Sequence, residues 1–224
     1  MYEEVSFILW TIWKARCAKT SDNKSFSSYE ASNNIIQQIN DWTRVSDNQS
    51  VNITVSNGIS KIWHPPTDDV YKINFDASHI NKKILSGWGL ICRDFAGISY
   101  GLRGGASLAV DPEQAEAQSL LKAVQWVQMN GWRKIHLEGD YSNAISAING
   151  KTTTIKWTTQ NLVQDTLNIL GSFEFWVCTY AHRDANHIAD SLAKYARTQS
   201  ICFSWFNNEP AWIKTLIQHD QNTM

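Results

Sequence analysis

Polar and apolar residues alternate strictly along "YKINFDAS": Tyr71, Ile73 and Phe75 fall on one side, Lys72, Asn74 and Asp76 on the other. A period of two predicts a half-buried strand. "GWGLICRD" and "ISYGLRGG", joined by the turn "DFAG", predict two further strands in a hairpin. The period then changes. "DPEQAEAQSLLKAVQWVQMNG" places Leu120, Val124 and Val127 on one helical stripe, with Asp111 as cap, Pro112 at the first helical position, Gln114 where a capping box needs it and Gly131 at the end. "KIHLEGD" predicts a fourth strand and "SNAISAING" a short helix. "IKWTTQNLVQDTLNILG" predicts a longer helix, "FEFWVCTYAH" a fifth strand and "ANHIADSLAKYAR" a last helix capped by Asp184. Three strands followed by alternating helices and strands predict an α/β fold: a five-stranded mixed sheet, antiparallel at first and then parallel, flanked by helices. Right-handed crossovers make strands one, four and five parallel.

The flanks read differently. Residues 1–42 carry helical spacing, and "TRVSDNQSVNITVSNGIS" is a polar linker. The expected organisation is a helical segment plus linker over residues 1–60, a main domain over 61–198, and a tail over 199–224. Within that tail "EPAWIKTLIQHDQ" forms a short helix offering Trp212, Ile213 and Leu216 for packing. The apolar run in "MYEEVSFILWTIW" follows acidic residues, a poor signal peptide, and is too short to span a bilayer. An intracellular protein, nuclear or cytoplasmic, with no membrane segment is therefore expected. The Trp-rich amino-terminal helix can dock a protein partner; the protein is otherwise expected to be a monomer.

Composition narrows this picture only slightly. Of 224 residues 43% are apolar, which suits a globular chain, and the net charge of −1 removes the electrostatic case for tight non-specific nucleic-acid binding. Cys17, Cys92, Cys178 and Cys202 lie far apart with no C-x-x-C pair, so reduced thiols are expected rather than a disulfide framework or zinc ribbon.

The acids change the picture more. Asp76 ends the first predicted strand and Asp140 the fourth; singly, one reads as a turn residue and the other as a helix cap. Glu116 stands four residues before Leu120, on the stripe that faces the sheet, where a carboxylate is costly without a partner. Asp190 lies on the last helix, beside Ala189 and Ala193. Together they come from two parallel strand ends and two flanking helices. Carboxylates about 4 Å apart repel by roughly 4 kcal/mol per pair at an effective dielectric near 20. Such a group needs raised pKa values or bound cations, and oxygen ligands select Mg²⁺ or Mn²⁺ over zinc. "AHRDANHIAD" is not a metal site of its own, because His182 precedes the helix on which His187 stands.

"WHPPTDDVYKINFDAS", "GWGLICRD", "AEAQSLLKAVQWV", "LEGDYSNAI" and "HRDANHIADSLAKYA", in this order from Trp63 to Arg197, resemble the type 1 ribonuclease H fold. More narrowly they resemble plant ribonuclease-H-like domains related to non-LTR retroelement reverse transcriptases, as does "LWTIWKAR" near the amino terminus. The resemblance implies hydrolysis of the RNA strand of an RNA–DNA hybrid with two Mg²⁺ or Mn²⁺ ions. It places Asp76, Glu116, Asp140 and Asp190 as catalytic metal ligands, and His182 as the histidine that helps product leave. Asn186, Arg183, Ser78 and Ser142 become candidate nucleic-acid contacts, and Glu116 a candidate reader of the 2′-hydroxyl. Lys134, Lys151, Lys156, Arg183, Lys194 and Arg197 are either a modest phosphate-facing surface or scattered solvated charges.

Two residues depart from the pattern. Ala77 stands where the family has glycine after the first aspartate, and Tyr141 replaces a common serine after the third acid. With the neutral charge, they motivate an alternative: a domesticated, catalytically weak or idle domain that binds nucleic acid or protein. A related exonuclease or integrase is a third reading, opposed by the three-strand start and the aspartate on the last helix.

Overall fold

In a computed structural model the residues described are 60–151 and 155–223, all within the second of the chain's two compact units, Val55–Met224. The helices expected in residues 1–42, and most of the linker after them, lie outside the described residues. The elements are β1 (Tyr71–Ser78), β2 (Ser86–Arg93), β3 (Ser99–Ser107), α1 (Pro112–Met129), β4 (Lys134–Gly139), α2 (Ser142–Ile148), α3 (Trp157–Leu170), β5 (Phe175–Tyr180), a 3₁₀ turn (Arg183–Asn186), α4 (His187–Gln199), β6 (Phe203–Trp205) and α5 (Ala211–Thr223).

The strands form one sheet in the order β5-β4-β1-β2-β3-β6. β1 pairs antiparallel with β2 and parallel with β4, β4 pairs parallel with β5, and β2 pairs antiparallel with β3. This is the expected mixed α/β sheet, with one correction: there are six strands, not five. β6 pairs antiparallel with the outer edge of β3, Leu102 opposite Trp205 and Gly104 opposite Phe203. A three-residue strand is too short to show a period, and its effect is to cover an edge that would otherwise present unpaired backbone groups.

Alternation along β1 sorts the core. Ile73 and Phe75 are fully buried towards α1, whose Leu120, Val124 and Val127 are at most 1% exposed. Lys72, Asn74 and Asp76 face the other way, opposite Arg93, Ile91 and Gly89 of β2, and this second face carries α4. A second apolar cluster fills that side: Ile91 and Leu102 from the sheet, Ile188 and Leu192 from α4, and Ile213 and Ile217 from α5. Residues after 199 are thus no loose tail, since α5 completes this core layer. α4 lies so close to β2 that a Cβ at Gly87 would come 1.9 Å from the Ala193 carbonyl oxygen, and one at Gly89 would come 2.4 Å from that of Ala189.

Helix starts follow local chemistry. Asp111 caps α1 by accepting from the Gln114 amide (2.9 Å), Pro112 opens it, and Gly131 closes it with φ +70°. The Gln114 side chain reaches back one residue further than a capping box, accepting from the Val110 amide at 2.8 Å. The cap expected of Asp184 is not made. His182 caps the 3₁₀ turn instead, its Nδ1 accepting from the Asp184 amide at 3.1 Å. Among the described residues no helix is long and apolar enough to cross a membrane.

Candidate active site

Parallel pairing sets Asn74 beside Glu138, and two residues further along both strands Asp76 comes alongside Asp140, just past the end of β4. α2 begins at Ser142 with Tyr141 in the cap position and no side-chain cap bond, so Asp140 is not spent on capping. α1 brings Glu116 to the same place, and its Ser119 hydroxyl donates to the Asp76 carbonyl at 2.7 Å, fixing the helix to the strand. One carboxylate oxygen from each of Asp76, Glu116 and Asp140 lies within 4.8 Å of the others. Asp76 is only 3% exposed, and Glu116 Oε2 is buried with no hydrogen-bond partner.

The electrostatics follow from that crowding. Burial first, then the Glu116 charge and the hydrogen bond and charge of Asp140, push the Asp76 carboxyl well above its usual range. Burial, then Asp140, push Glu116 up to about 8, against an opposing backbone hydrogen bond at Ala77. The protein alone therefore keeps protons on this group at neutral pH. An oxygen-only donor set containing a buried, unpartnered oxygen fits a hard divalent cation, which would take the place of those protons.

Asp190, the fourth expected acid, stands beside the three without joining them. It is near enough to raise both Asp76 and Glu116, but its carboxylate is held by Lys194 Nζ at 2.5 Å and faces Arg183 Nη2 at 3.5 Å. The sequence carried this signal as an Asp–Lys pair at i,i+4, read instead as a phosphate contact.

The other expected residues divide. His182 is about a third exposed, and because Nδ1 accepts from the Asp184 amide, its ring proton sits on Nε2. Ser142 is exposed in the first turn of α2, and the Ser78 hydroxyl oxygen accepts from Arg197 Nε at 2.9 Å. Arg183 is largely exposed, Lys156 is paired with Asp111, and Lys134 faces Asp69 at 3.9 Å. Asn186 needs correction as a surface contact. It is 1% exposed; its amide donates to the Phe75 carbonyl (3.0 Å), and its oxygen accepts from Asn74 (3.2 Å). Asn186 braces β1 from within, a role that needed the tertiary pairing to see. The Ser119 bond was missed for the same reason.

A mixed sheet flanked by helices on both faces, with carboxylates gathered where β1 and β4 run side by side, defines a ribonuclease H-like domain. The chain belongs to the reverse transcriptase-like family, whose model matches residues 74–196. Among solved structures, ribonuclease H1 from the archaeon Halobacterium salinarum is 22% identical with a TM-score of 0.55, covering 58% of this chain and 98% of its own. The N-terminal ribonuclease H domain of a Mycobacterium tuberculosis protein is 15% identical with a TM-score of 0.55, covering 58% and 95%. A ribonuclease H1 isolated from compost, LC11-RNase H1, was solved in complex with an RNA/DNA hybrid; it is 17% identical with a TM-score of 0.54, covering 58% and 98%. These likenesses show the fold. No curated protein sequence matches the chain significantly.

Proposed function

We propose that this protein is a divalent-cation-dependent endonuclease that hydrolyses the RNA strand of RNA–DNA hybrids. The observation that carries the reading is the convergence of Asp76, Glu116 and Asp140, with a buried Glu116 oxygen left unpartnered. The compost enzyme, of the same fold, was solved with a hybrid bound, which supports this choice of substrate.

Asp76 and Asp140 would hold both of two Mg²⁺ or Mn²⁺ ions, with Glu116 and Asp190 completing one each. Bound there, the ions supply Lewis acidity for the attacking water and for the leaving 3′-oxygen. The chain's own residues do the rest. The Ser119 bond to the Asp76 carbonyl and the Asn186 bond to the Phe75 carbonyl fix the two peptide planes that flank the first acid. His182, with its ring partly exposed and Nδ1 held by the Asp184 amide, would act late, as a proton or product shuttle that takes up a proton from solvent before giving one up. Ser78 and Ser142 hydroxyls and the Arg183 guanidinium contact sugar and phosphate, and the 2′-hydroxyl separates RNA from DNA.

The same reading assigns residues 61–198 to the catalytic domain and places the chain with plant non-LTR retroelement-derived proteins. That placement rests on the five motifs and on "LWTIWKAR" in the segment ahead of them. A cellular site in nucleus or cytoplasm goes with it.

One observation favours a second reading, a nucleic-acid-binding domain with weak or no catalysis. Asp190 is neutralised by Lys194 and Arg183, and Ala77 and Tyr141 add bulk beside two of the acids. The two readings part on one assay: full-length protein with a labelled hybrid in Mg²⁺, alongside Asp140→Asn. The nuclease reading expects multiple turnovers from the wild type, halted by EDTA and absent in the variant. Equal cleavage by both proteins, or none by either, overturns it.

A further inference from the structure

The family match spans residues 74–196, yet two residues outside it close on the interior of the domain. Arg93, the last residue of β2, is 1% exposed. Its guanidinium lies over the Trp63 ring, 3.6 Å from the centroid, and Nη1 donates to Asp220 Oδ2 of α5 at 2.6 Å. Nη2 donates to Asn74 Oδ1 at 2.8 Å, and Trp63 Nε1 donates to the same oxygen at 2.9 Å. With that oxygen accepting twice, Asn74 turns its amide to Glu138 Oε2 at 2.9 Å and to Asn186 Oδ1 at 3.2 Å, and Asn186 donates to the Phe75 carbonyl. That carbonyl belongs to the peptide whose nitrogen is Asp76. On its other side Asp220 Oδ1 lies 3.6 Å from Nε2 of His187, the first residue of the helix that carries Asp190.

We propose that Asp220 is a positioning residue for the acid cluster, acting from the carboxy-terminal helix through Arg93, Asn74 and Asn186 on the Phe75–Asp76 peptide. The inference rests on the reading of Asp76 as a cation ligand. Its physical basis is that each link fixes the orientation of the next. Asp220 holds Arg93 through Nη1, Arg93 and Trp63 on the oxygen side and Glu138 on the nitrogen side decide which way the Asn74 amide points, and that amide sets Asn186. Hydrogen-bonded partners behind a metal ligand typically alter metal affinity by about 10- to 100-fold when removed, and a residue several links away should act at the low end.

The test uses full-length protein well below its unfolding midpoint. In Asp220→Asn the side-chain amide NMR signals of Asn74 and Asn186 should shift and exchange faster, and Mn²⁺ affinity at the cluster should fall about tenfold. Glu174→Gln, which breaks only an exposed pair with Arg133, should match wild type. Because Asp220→Asn leaves a buried cation unpaired and can lower stability, Arg93→Met with Asp220→Leu removes both charges together. That double variant should regain stability while Mn²⁺ binding stays weak, since Asn74 has still lost its Arg93 donor. Wild-type Mn²⁺ affinity in the double variant overturns the proposal, as do unchanged Asn74 and Asn186 signals in Asp220→Asn. If the wild type binds no Mn²⁺, the assignment of Asp76 as a ligand falls, and the relay is judged on the asparagine signals alone.

Discussion

One strand, β1, carries two buried polar regions on the same face, and they handle charge in opposite ways. At Lys72 and Asn74 every charge has a protein partner. Lys72 Nζ donates to Glu138 Oε1 at 3.0 Å and to the His64 carbonyl at 2.8 Å, Asn74 donates to Glu138 Oε2 at 2.9 Å, and Arg93 is matched by Asp220. Two residues further on, Asp76 meets only other carboxylates. Burial lowers the pKa of Lys72 while Glu138 offsets it; burial raises that of Asp76, and its neighbours raise it further. A fold able to pair its buried charges at one end of a strand leaves them unpaired at the other, where the proposed cation would complete the balance.

The sharpest way to break this contrast is at the unpaired end. Asp76→Asn is expected to cut hybrid cleavage by roughly a thousandfold, about 4 kcal/mol of transition-state stabilisation, in a single-turnover assay. The same variant should unfold no more easily than wild type without metal, because it removes a carboxyl that must take up a proton on folding.

At the paired end the order of effects reverses. Glu138→Gln leaves Lys72 uncompensated and should cost about 3–5 kcal/mol in denaturant unfolding. Lys72→Met with Glu138→Leu should recover most of that loss.

The pH dependence separates the two ends without mutation. Asp76 and Glu116 have folded pKa values above their unfolded ones, Glu116 at about 8, so the native state binds more protons than the unfolded state between about pH 4.5 and 8. Stability of the metal-free protein should therefore fall as pH rises through that window. The slope per group approaches about 1.4 kcal/mol per pH unit. Saturating Mg²⁺ should flatten the curve. Because burial holds the His136 imidazole down at about 4, an opposing contribution runs up to about pH 6.5, and a metal-free protein whose stability rises from pH 6.5 to pH 8 would show that the acids are not crowded as described.

The smallest effect belongs at the surface. Arg133 and Glu174 form a 3.1 Å pair, both sides more than half exposed, and Glu174→Gln should change stability by no more than about 0.5 kcal/mol.

Much of this contrast was legible beforehand, and the limit has a physical cause. Period-two spacing put Lys72, Asn74 and Asp76 on one face, the break in the α1 stripe singled out Glu116, and strand order brought Asp140 to Asp76. Those are local signals. What escaped them depends on partners distant in the chain. Arg93 reads as the polar end of a strand until Asp220 and Trp63 enclose it, and Asn186 reads as a surface amide until Asn74 and Phe75 claim it. β6 was hidden for a different reason, having too few residues to display alternation. Asp190 shows both limits: its place on α4 was clear, but not that Lys194 and Arg183 would hold it back from the other three acids.

The bare backbone of β2 under α4 has a consequence for how this domain can vary. Gly87 and Gly89 contribute no side-chain atoms, yet they set how deeply the helix bearing Asp190 can sit. The distance from the fourth acid to the other three is therefore encoded partly on a neighbouring strand that carries none of them, Gly89 lying directly opposite Asp76. A methyl group at either glycine would act as a spacer under the helix, lifting Asp190 away while every acidic residue stayed in the sequence. A homologue could thus keep all four carboxylates in an alignment and still lose the approach of the fourth to the other three, and inspection of residues 87 and 89 would reveal it first.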